Sequence, residues 1–234
     1  ITLLNDFSSE LDNIEEAQTS QATHFYHCNN PIFTALADVI NQFQVPLTLF
    51  YDLLQAFKSD VEKKRYLSFE EVLSYCQYSA APVGRILLCL NNSATEENLN
   101  YSDAICNGLQ LINFYQDIYQ DITENDRLYL PLDEMKRHNV SIENLKNQIN
   151  NTSTQALIEQ QLTRARQLYE SGQPLCSTLT GRFALEIRTI YAGGHLILEK
   201  LEKNSHSIYQ RPRLTRFDKV KIFWYGLFPQ QPGQ

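Results

Sequence analysis

The segment Gln110-Leu111-Ile112-Asn113-Phe114-Tyr115-Gln116-Asp117-Ile118-Tyr119-Gln120-Asp121 carries the side chains best suited to chemistry in this sequence. On a helix each residue advances about 100°. Gln110, Asn113, Asp117 and Asp121 then fall within an arc of about 80° and form one polar stripe. Leu111, Ile112, Phe114, Tyr115, Ile118 and Tyr119 make most of the remaining circumference apolar or aromatic. A helix apolar over that much of its surface is buried on several sides, which turns its acidic stripe toward something polar inside the fold, such as a cavity. Two carboxylates one turn apart repel each other, and burying them without a partner is costly. A hard divalent cation removes that cost. Mg²⁺ takes oxygen ligands and keeps several waters, so Asp117 and Asp121, with Asn113 beside them, would share its shell with phosphate oxygens of a substrate. A helix whose polar stripe faces solvent reads the same way, because the DxxxD spacing is short and common.

Two further clusters could line a site. Phe57-Lys58-Ser59-Asp60-Val61-Glu62-Lys63-Lys64-Arg65-Tyr66 ends in three consecutive basic residues where a helix should stop. Cations near a helix C-terminus are favoured by the dipole, and Asp60 with Lys64 is an i,i+4 pair, so a solvated helix end accounts for this much. Arg65 has a planar fork suited to a phosphate or to holding a catalytic carboxylate. In Tyr75-Cys76-Gln77-Tyr78-Ser79-Ala80-Ala81-Pro82-Val83-Gly84, small residues and an expected kink let a ligand approach the backbone, and Tyr75 sits where it could line a pocket. Tight helix packing by Ser79, Ala80 and Gly84 explains the same residues.

The elements that must position these clusters read as helices nearly throughout. Leu3, Leu4, Phe7, Leu11 and Ile14 repeat at helical spacing. The stretch 19–30 is polar and reads as a loop. Helices are expected to open at Pro31 and Pro46, and at Ser68 through a Ser68–Glu71 capping box. The last of these runs to Leu90 with a kink at Pro82 and Gly84. After a polar connection from Asn91 to Asn100, one long helix is expected from about Ser102 to Asp121. Short helical pieces around Pro131, helices over 153–171 and 177–203, and a last helix capped by Thr215 and Asp218 complete the chain. The expected fold is all-α, with one domain over 1–234.

Composition narrows the function classes. The 234 residues are 43% hydrophobic and 20% charged, enough to form a core. GxGxxG and GxxxxGK[ST] phosphate cradles are absent. A net charge of −7 does not suit a general nucleic-acid binder. Cys28, Cys76, Cys89, Cys106 and Cys176 are odd in number and widely spaced, as expected for reduced thiols of a cytoplasmic protein. The histidines form no HExxH zinc motif. No apolar run approaches the roughly 18 residues of a membrane helix, and no signal-peptide pattern opens the chain.

Taken together, Arg65-Tyr66, FEEVLSYC at 69–76, PVGR at 82–85, DAICNGLQLINFYQDIYQD at 103–121, RLYLP at 127–131, ARQLYESGQPL at 165–175, GRFALEIR at 181–188 and RPRL at 211–214 resemble the squalene/phytoene synthase family along essentially the whole chain. The pattern looks most like its hydroxysqualene synthase branch. The resemblance implies an isoprenoid-synthase-type helical bundle around a central cavity. It implies a Mg²⁺-dependent conversion of presqualene diphosphate to hydroxysqualene with release of diphosphate. Asp117 and Asp121 match the family's second aspartate motif, which holds Mg²⁺ against the diphosphate. Gln110 and Asn113 match the polar residues before it, and Tyr75 a tyrosine beside the reacting carbocation. Arg65 and Tyr66 match a pair near the pocket mouth, and Arg211 a diphosphate-binding arginine.

Two departures accompany the resemblance. Gln116 stands where many squalene and phytoene synthases have arginine, which weakens the alternative of condensing two prenyl diphosphates such as farnesyl diphosphate. The family's first aspartate motif would lie upstream of Ile1. Asp12, Glu15 and Glu16 sit on what reads as the following helix, so these 234 residues alone are expected to turn over little or nothing. A non-catalytic helical assembly or binding protein of the same fold is the alternative from a different class. The C-terminal stretch 211–228 is basic and aromatic. It is expected to pack as the last helix, or to touch an anionic membrane surface peripherally.

Overall fold

The computed structural model describes residues 1–19, 30–204 and 209–227. The polar stretch at 20–29, with Cys28, and Phe228 lie outside the described residues. Among the described residues the chain forms α1 (Thr2–Thr19), α2 (Pro31–Phe43), α3 (Thr48–Glu62), α4 (Phe69–Ser79), α5 (Ala81–Leu90), α6 (Glu96–Gln116), α7 (Ile118–Glu124), α8 (Leu132–Arg137), α9 (Ile142–Lys146), α10 (Thr152–Ser171), α11 (Leu175–Thr178), α12 (Gly181–Lys203) and α13 (Arg216–Leu227). No strand occurs among them, and the all-α expectation holds.

Local chemistry sets the boundaries. Asn30 accepts from the Ile32 N–H ahead of Pro31, and Ser68 accepts from the Glu71 N–H. Glu71 reaches back one residue further than a capping box requires, to the Leu67 N–H at 2.8 Å. α6 begins at Glu96 rather than near Ser102. The Thr95 hydroxyl accepts from the Asn98 N–H at 3.2 Å, and Glu96 and Glu97 occupy the first turn, where the dipole favours them. The expected kink after Tyr75 is a break into two helices at Ala80, and Pro82 falls in the first turn of α5, where its missing N–H costs nothing. α12 starts at Gly181 rather than 177, because Leu175–Thr178 closes a turn of its own.

α6 is the central element. It packs most extensively on α10 and α5, then on α12 and α4. Leu111, Ile112, Phe114 and Tyr115 are buried there, each contributing about 1.5–3 kcal/mol if an aliphatic or phenyl side chain is the guide. At Gly108 the two long helices meet so closely that a Cβ would lie 2.8 Å from the Tyr169 Cα. A second apolar cluster joins Leu11, Ile14, Phe33, Ile40, Leu49 and Leu54 of α1–α3 and meets α5 through Ile86 and Leu90. Residues 64–67 run alongside 128–133, with the Leu128 N–H donating to Lys64 O and the Leu132 N–H to Tyr66 O, both at 3.0 Å. α13 packs on α12, capped reciprocally by Thr215 and Asp218 as expected. Phe217, Phe223 and Trp224 on its other face are each more than half exposed.

Candidate active site at the α6–α7 junction

The expected single rod from Ser102 to Asp121 is two helices. α6 ends at Gln116, Asp117 leaves helical geometry with φ −111° and ψ 14°, and α7 begins at Ile118. The hydrogen bonds from Asp117 N–H to Asn113 O and from Asp121 N–H to Asp117 O persist across the break. Two consecutive side chains at this point are tied to one segment: Gln116 Nε2 donates to Pro212 O, and Asp117 is gripped by Arg211. Gln110 and Asn113 therefore lie on α6, Asp117 at the junction and Asp121 on α7. Gln110 is half-buried and Asn113 exposed.

Arg211 Nη2 donates to Asp117 Oδ2 at 3.0 Å, and its Nε lies 2.5 Å from Oδ1 as an ion-pair contact, while buried Oδ1 accepts no hydrogen bond. A guanidinium can pair with carboxylates and phosphates alike, and the unpaired Oδ1 is left as an acceptor for a further cation. Asp121 has no such clamp. Burial, followed by the Asp117 charge, pushes its carboxyl from the ordinary 3.8 up to about 6, against smaller opposing effects of Asn125, Arg127 and Arg211. A doubly charged cation between the two carboxylates would relieve both causes, so the donor set suits Mg²⁺ as part of a shell. Among the described residues no group of three metal-ligating side chains occurs, so the two aspartates make only that part.

An aromatic wall stands beside Asp121. The Phe114 and Tyr129 rings stack at 3.6 Å and 3°, and Tyr75 and Tyr66 pack against Tyr129 at 5.6 and 5.5 Å. The Tyr75 hydroxyl donates to Asp60 Oδ1 at 2.7 Å, and burial pushes this phenol well above its ordinary range. Tyr66 is almost wholly buried. The crevice bounded by Phe114, Ile118, Asp121, Arg127 and Tyr129 with Leu128 and Leu130 is closed too tightly to admit a water molecule. Its walls combine one carboxylate, one guanidinium and flat aromatic faces.

Arg65 does not join the two aspartates. Its guanidinium is bound to Asp126, Nη2 to Oδ1 at 2.6 Å, and to the Asp126 carbonyl. Alternation along the extended 64–67 segment turns Tyr66 inward and Arg65 outward. The expected Asp60–Lys64 pair is absent as well: Lys64 lies 3.5 Å from Asp126, whereas Asp60 faces Tyr75 and Arg127. Asp12 and Glu15, weighed as substitutes for a first aspartate motif, both face the Tyr51 hydroxyl on α3.

Asp60, Arg127 and Tyr129 were not singled out from the sequence as site residues. Arg127 Nη2 donates to Asp60 O at 2.7 Å and lies close enough to Asp121 to act on its carboxyl. The signal was available in the RLYLP run at 127–131, where two residues of one extended segment present a guanidinium and a phenol to the same place.

Known proteins resemble this chain in sequence and fold. A family model described as squalene/phytoene synthase matches residues 2–218. Hydroxysqualene synthase of Rhodopseudomonas palustris is 36% identical over 152 residues, covering 64% of this chain and 52% of that protein. Hydroxysqualene synthase of Sinorhizobium fredii is 43% identical over 94 residues, covering 40% and 32%. Phytoene synthase 1 of Zea mays is 27% identical over 183 residues, covering 76% and 44%. The chain thus spans about half or less of the length of these relatives. The crystal structure of a squalene synthase from Alicyclobacillus acidocaldarius superimposes with a TM-score of 0.77 at 27% identity, covering 87% of this chain and 73% of that one. A dehydrosqualene synthase solved with a ligand, at 23% identity and a TM-score of 0.76, shares the fold.

Proposed function

This chain belongs to the squalene/phytoene synthase family, and on that premise we propose that the α6–α7 junction binds the diphosphate of presqualene diphosphate and takes part in its Mg²⁺-dependent conversion to hydroxysqualene. The observation that carries the reading is the pairing of two adjacent-turn carboxylates, Asp117 and Asp121, with Arg211, Arg127 and an aromatic wall in one place. Bound Mg²⁺ would neutralise the diphosphate as it leaves. Asp117 and Asp121 would hold that ion, and Arg211, already docked on Asp117, would exchange its carboxylate for phosphate oxygens. Arg127 is fixed by Asp60 so that its charge stays beside Asp121. The aromatic cluster of Tyr129, Phe114, Tyr75 and Tyr66 would stabilise the carbocation left when the carbon–oxygen bond breaks, once substrate entry separates rings that now pack on one another. Water adds to that cation, its oxygen becomes the hydroxyl of the product, and its spare proton leaves with the diphosphate.

The higher identity to hydroxysqualene synthases than to the maize phytoene synthase supports this branch, as does Gln116, whose amide is committed to Pro212 O. Condensation of two prenyl diphosphates is the competing reading. Presqualene diphosphate and farnesyl diphosphate, each incubated with the protein and Mg²⁺, separate the two when the organic extract is analysed by mass spectrometry. Hydroxysqualene from the first and no product from the second is expected of a chain that carries both aspartate motifs, with little or no turnover by these 234 residues alone. Squalene or phytoene from farnesyl diphosphate would overturn the assignment. Calorimetry gives a readout independent of turnover: presqualene diphosphate is expected to bind only with Mg²⁺, and not to Asp121→Asn. Metal-independent binding, or binding unchanged in that variant, would sink the site.

A further inference from the structure

α13 turns one face toward α12 and leaves the opposite, apolar face largely exposed. Asp218, Ile222, Tyr225 and Gly226 turn toward α12, where a Cβ at Gly226 would meet Thr189 Cγ2 at 2.7 Å. The opposite side bears Phe217, 83% exposed, with Val220, Phe223 and Trp224 each more than half exposed and Leu227 at 44%. At about 100° per residue, Phe217, Val220, Phe223, Trp224 and Leu227 lie within one stripe roughly 120° wide. Lys219 flanks it on one side and Lys221 on the other, both exposed, while Arg213 and Arg216 precede it on the same exposed segment.

We propose that this outward stripe of α13 lies on an anionic lipid surface, with Phe217, Val220, Phe223, Trp224 and Leu227 in the interface and Arg213, Arg216, Lys219 and Lys221 on the lipid phosphates. Charge selects the occupant. Residues 211–227 hold five cations against Asp218, a net charge of +4, whereas the rest of the chain carries −11. Arg211 is taken by Asp117, and Asp218 is neutralised by Lys200 at 2.9 Å, so neither alters the outward face. Lysines at both edges of an aromatic stripe can extend their stems outward to headgroup phosphates while the rings sit at the acyl boundary. No helix among the described residues is long and apolar enough to cross a membrane, so the contact is along the surface. It rests on α13 alone and stands or falls separately from the reaction proposed above.

Trp224 is the only tryptophan in the chain and lies in the stripe, which makes it the reporter. The full chain is mixed with vesicles of phosphatidylcholine, with or without phosphatidylglycerol, and with versions whose acyl chains are brominated. The expected result is a blue shift of Trp224 emission and quenching by the brominated chains, both requiring the anionic lipid and both weakened by salt. Each cation near such a surface is worth about a fivefold change in partitioning. K219E/K221E is therefore expected to weaken binding by at least about 25-fold, and Phe217→Ser with Phe223→Ser to abolish quenching. All four positions are exposed, so circular dichroism should show helix content unchanged. Absence of the shift and quenching with anionic vesicles, or binding indifferent to K219E/K221E, would overturn the proposal. So would dimerisation in the absence of vesicles that Val220→Glu abolishes, which would assign the stripe to a second copy of the chain.

Discussion

Asp121→Asn is expected to make the folded chain more stable while damaging its proposed site. The Asp121 carboxyl sits at about 6 when folded, pushed up chiefly by burial and then by Asp117, against an ordinary 3.8. A carboxyl raised in the folded state costs stability at every pH above its folded value, because the unfolded chain ionises without that penalty. As pH falls from above 6 towards 3.8, the folded state takes up the proton first and the cost disappears. The gap corresponds to roughly 3 kcal/mol at ~1.4 kcal/mol per tenfold in proton affinity, and partial exposure reduces it to about 2. Asparagine keeps the shape and can still accept the Asn125 hydrogen bond, but it never ionises. Urea unfolding at about pH 7 should therefore show the variant more stable by about 2 kcal/mol, equivalent to a melting temperature higher by about 4–8 °C, with the gain vanishing near pH 4. Mg²⁺ with inorganic diphosphate should raise the stability of the parent and not of the variant, since a ligand that binds only the folded state stabilises it. A variant less stable than its parent at about pH 7, or a difference independent of pH, would refute the reasoning, because either would mean that Asp121 does not carry a charge it is reluctant to hold.

Other substitutions probe the neighbouring contacts. Arg211→Gln leaves Asp117 without its ion-pair partner, so the Asp121 carboxyl should rise further above 6, readable from carboxyl ¹³C titration, with a stability loss of only about 1 kcal/mol because Arg211 is well solvated. An unchanged Asp121 titration would mean that the Arg211 charge does not reach it. Gly108→Ala drives a Cβ to 2.8 Å from the Tyr169 Cα, where backbone rather than a flexible side chain must yield. Overpacking of about 1–3 kcal/mol should outweigh the gain of about 1 from replacing glycine in a helix, giving a lower melting temperature. An unchanged melt would show that α6 and α10 can separate at little cost.

The helical class, most helix starts and the one-turn spacing of Asp117 and Asp121 are legible in the amino-acid sequence. These depend on short-range physics: the period of Leu111, Ile112, Phe114 and Tyr115, the hydroxyls of Ser68 and Thr215 beside free N–H groups, and the low helix tolerance of proline at 31 and 82. It also contained Arg127 and Tyr129, but as members of a short run with no periodicity to mark which neighbours they would meet. The tertiary structure decided the rest. It broke the rod at Asp117, where Gln116 and Asp117 both engage residues about 95 positions away. It gave Arg65 to Asp126 and Arg127 to Asp60, because an extended segment alternates its side chains and only pairing of 64–67 with 128–133 fixes which one turns inward. It left one face of α13 largely exposed, which the spacing of Phe217, Val220 and Trp224 allows but does not require. Local pattern says which face of a helix is apolar; what that face meets depends on contacts between residues far apart in the chain.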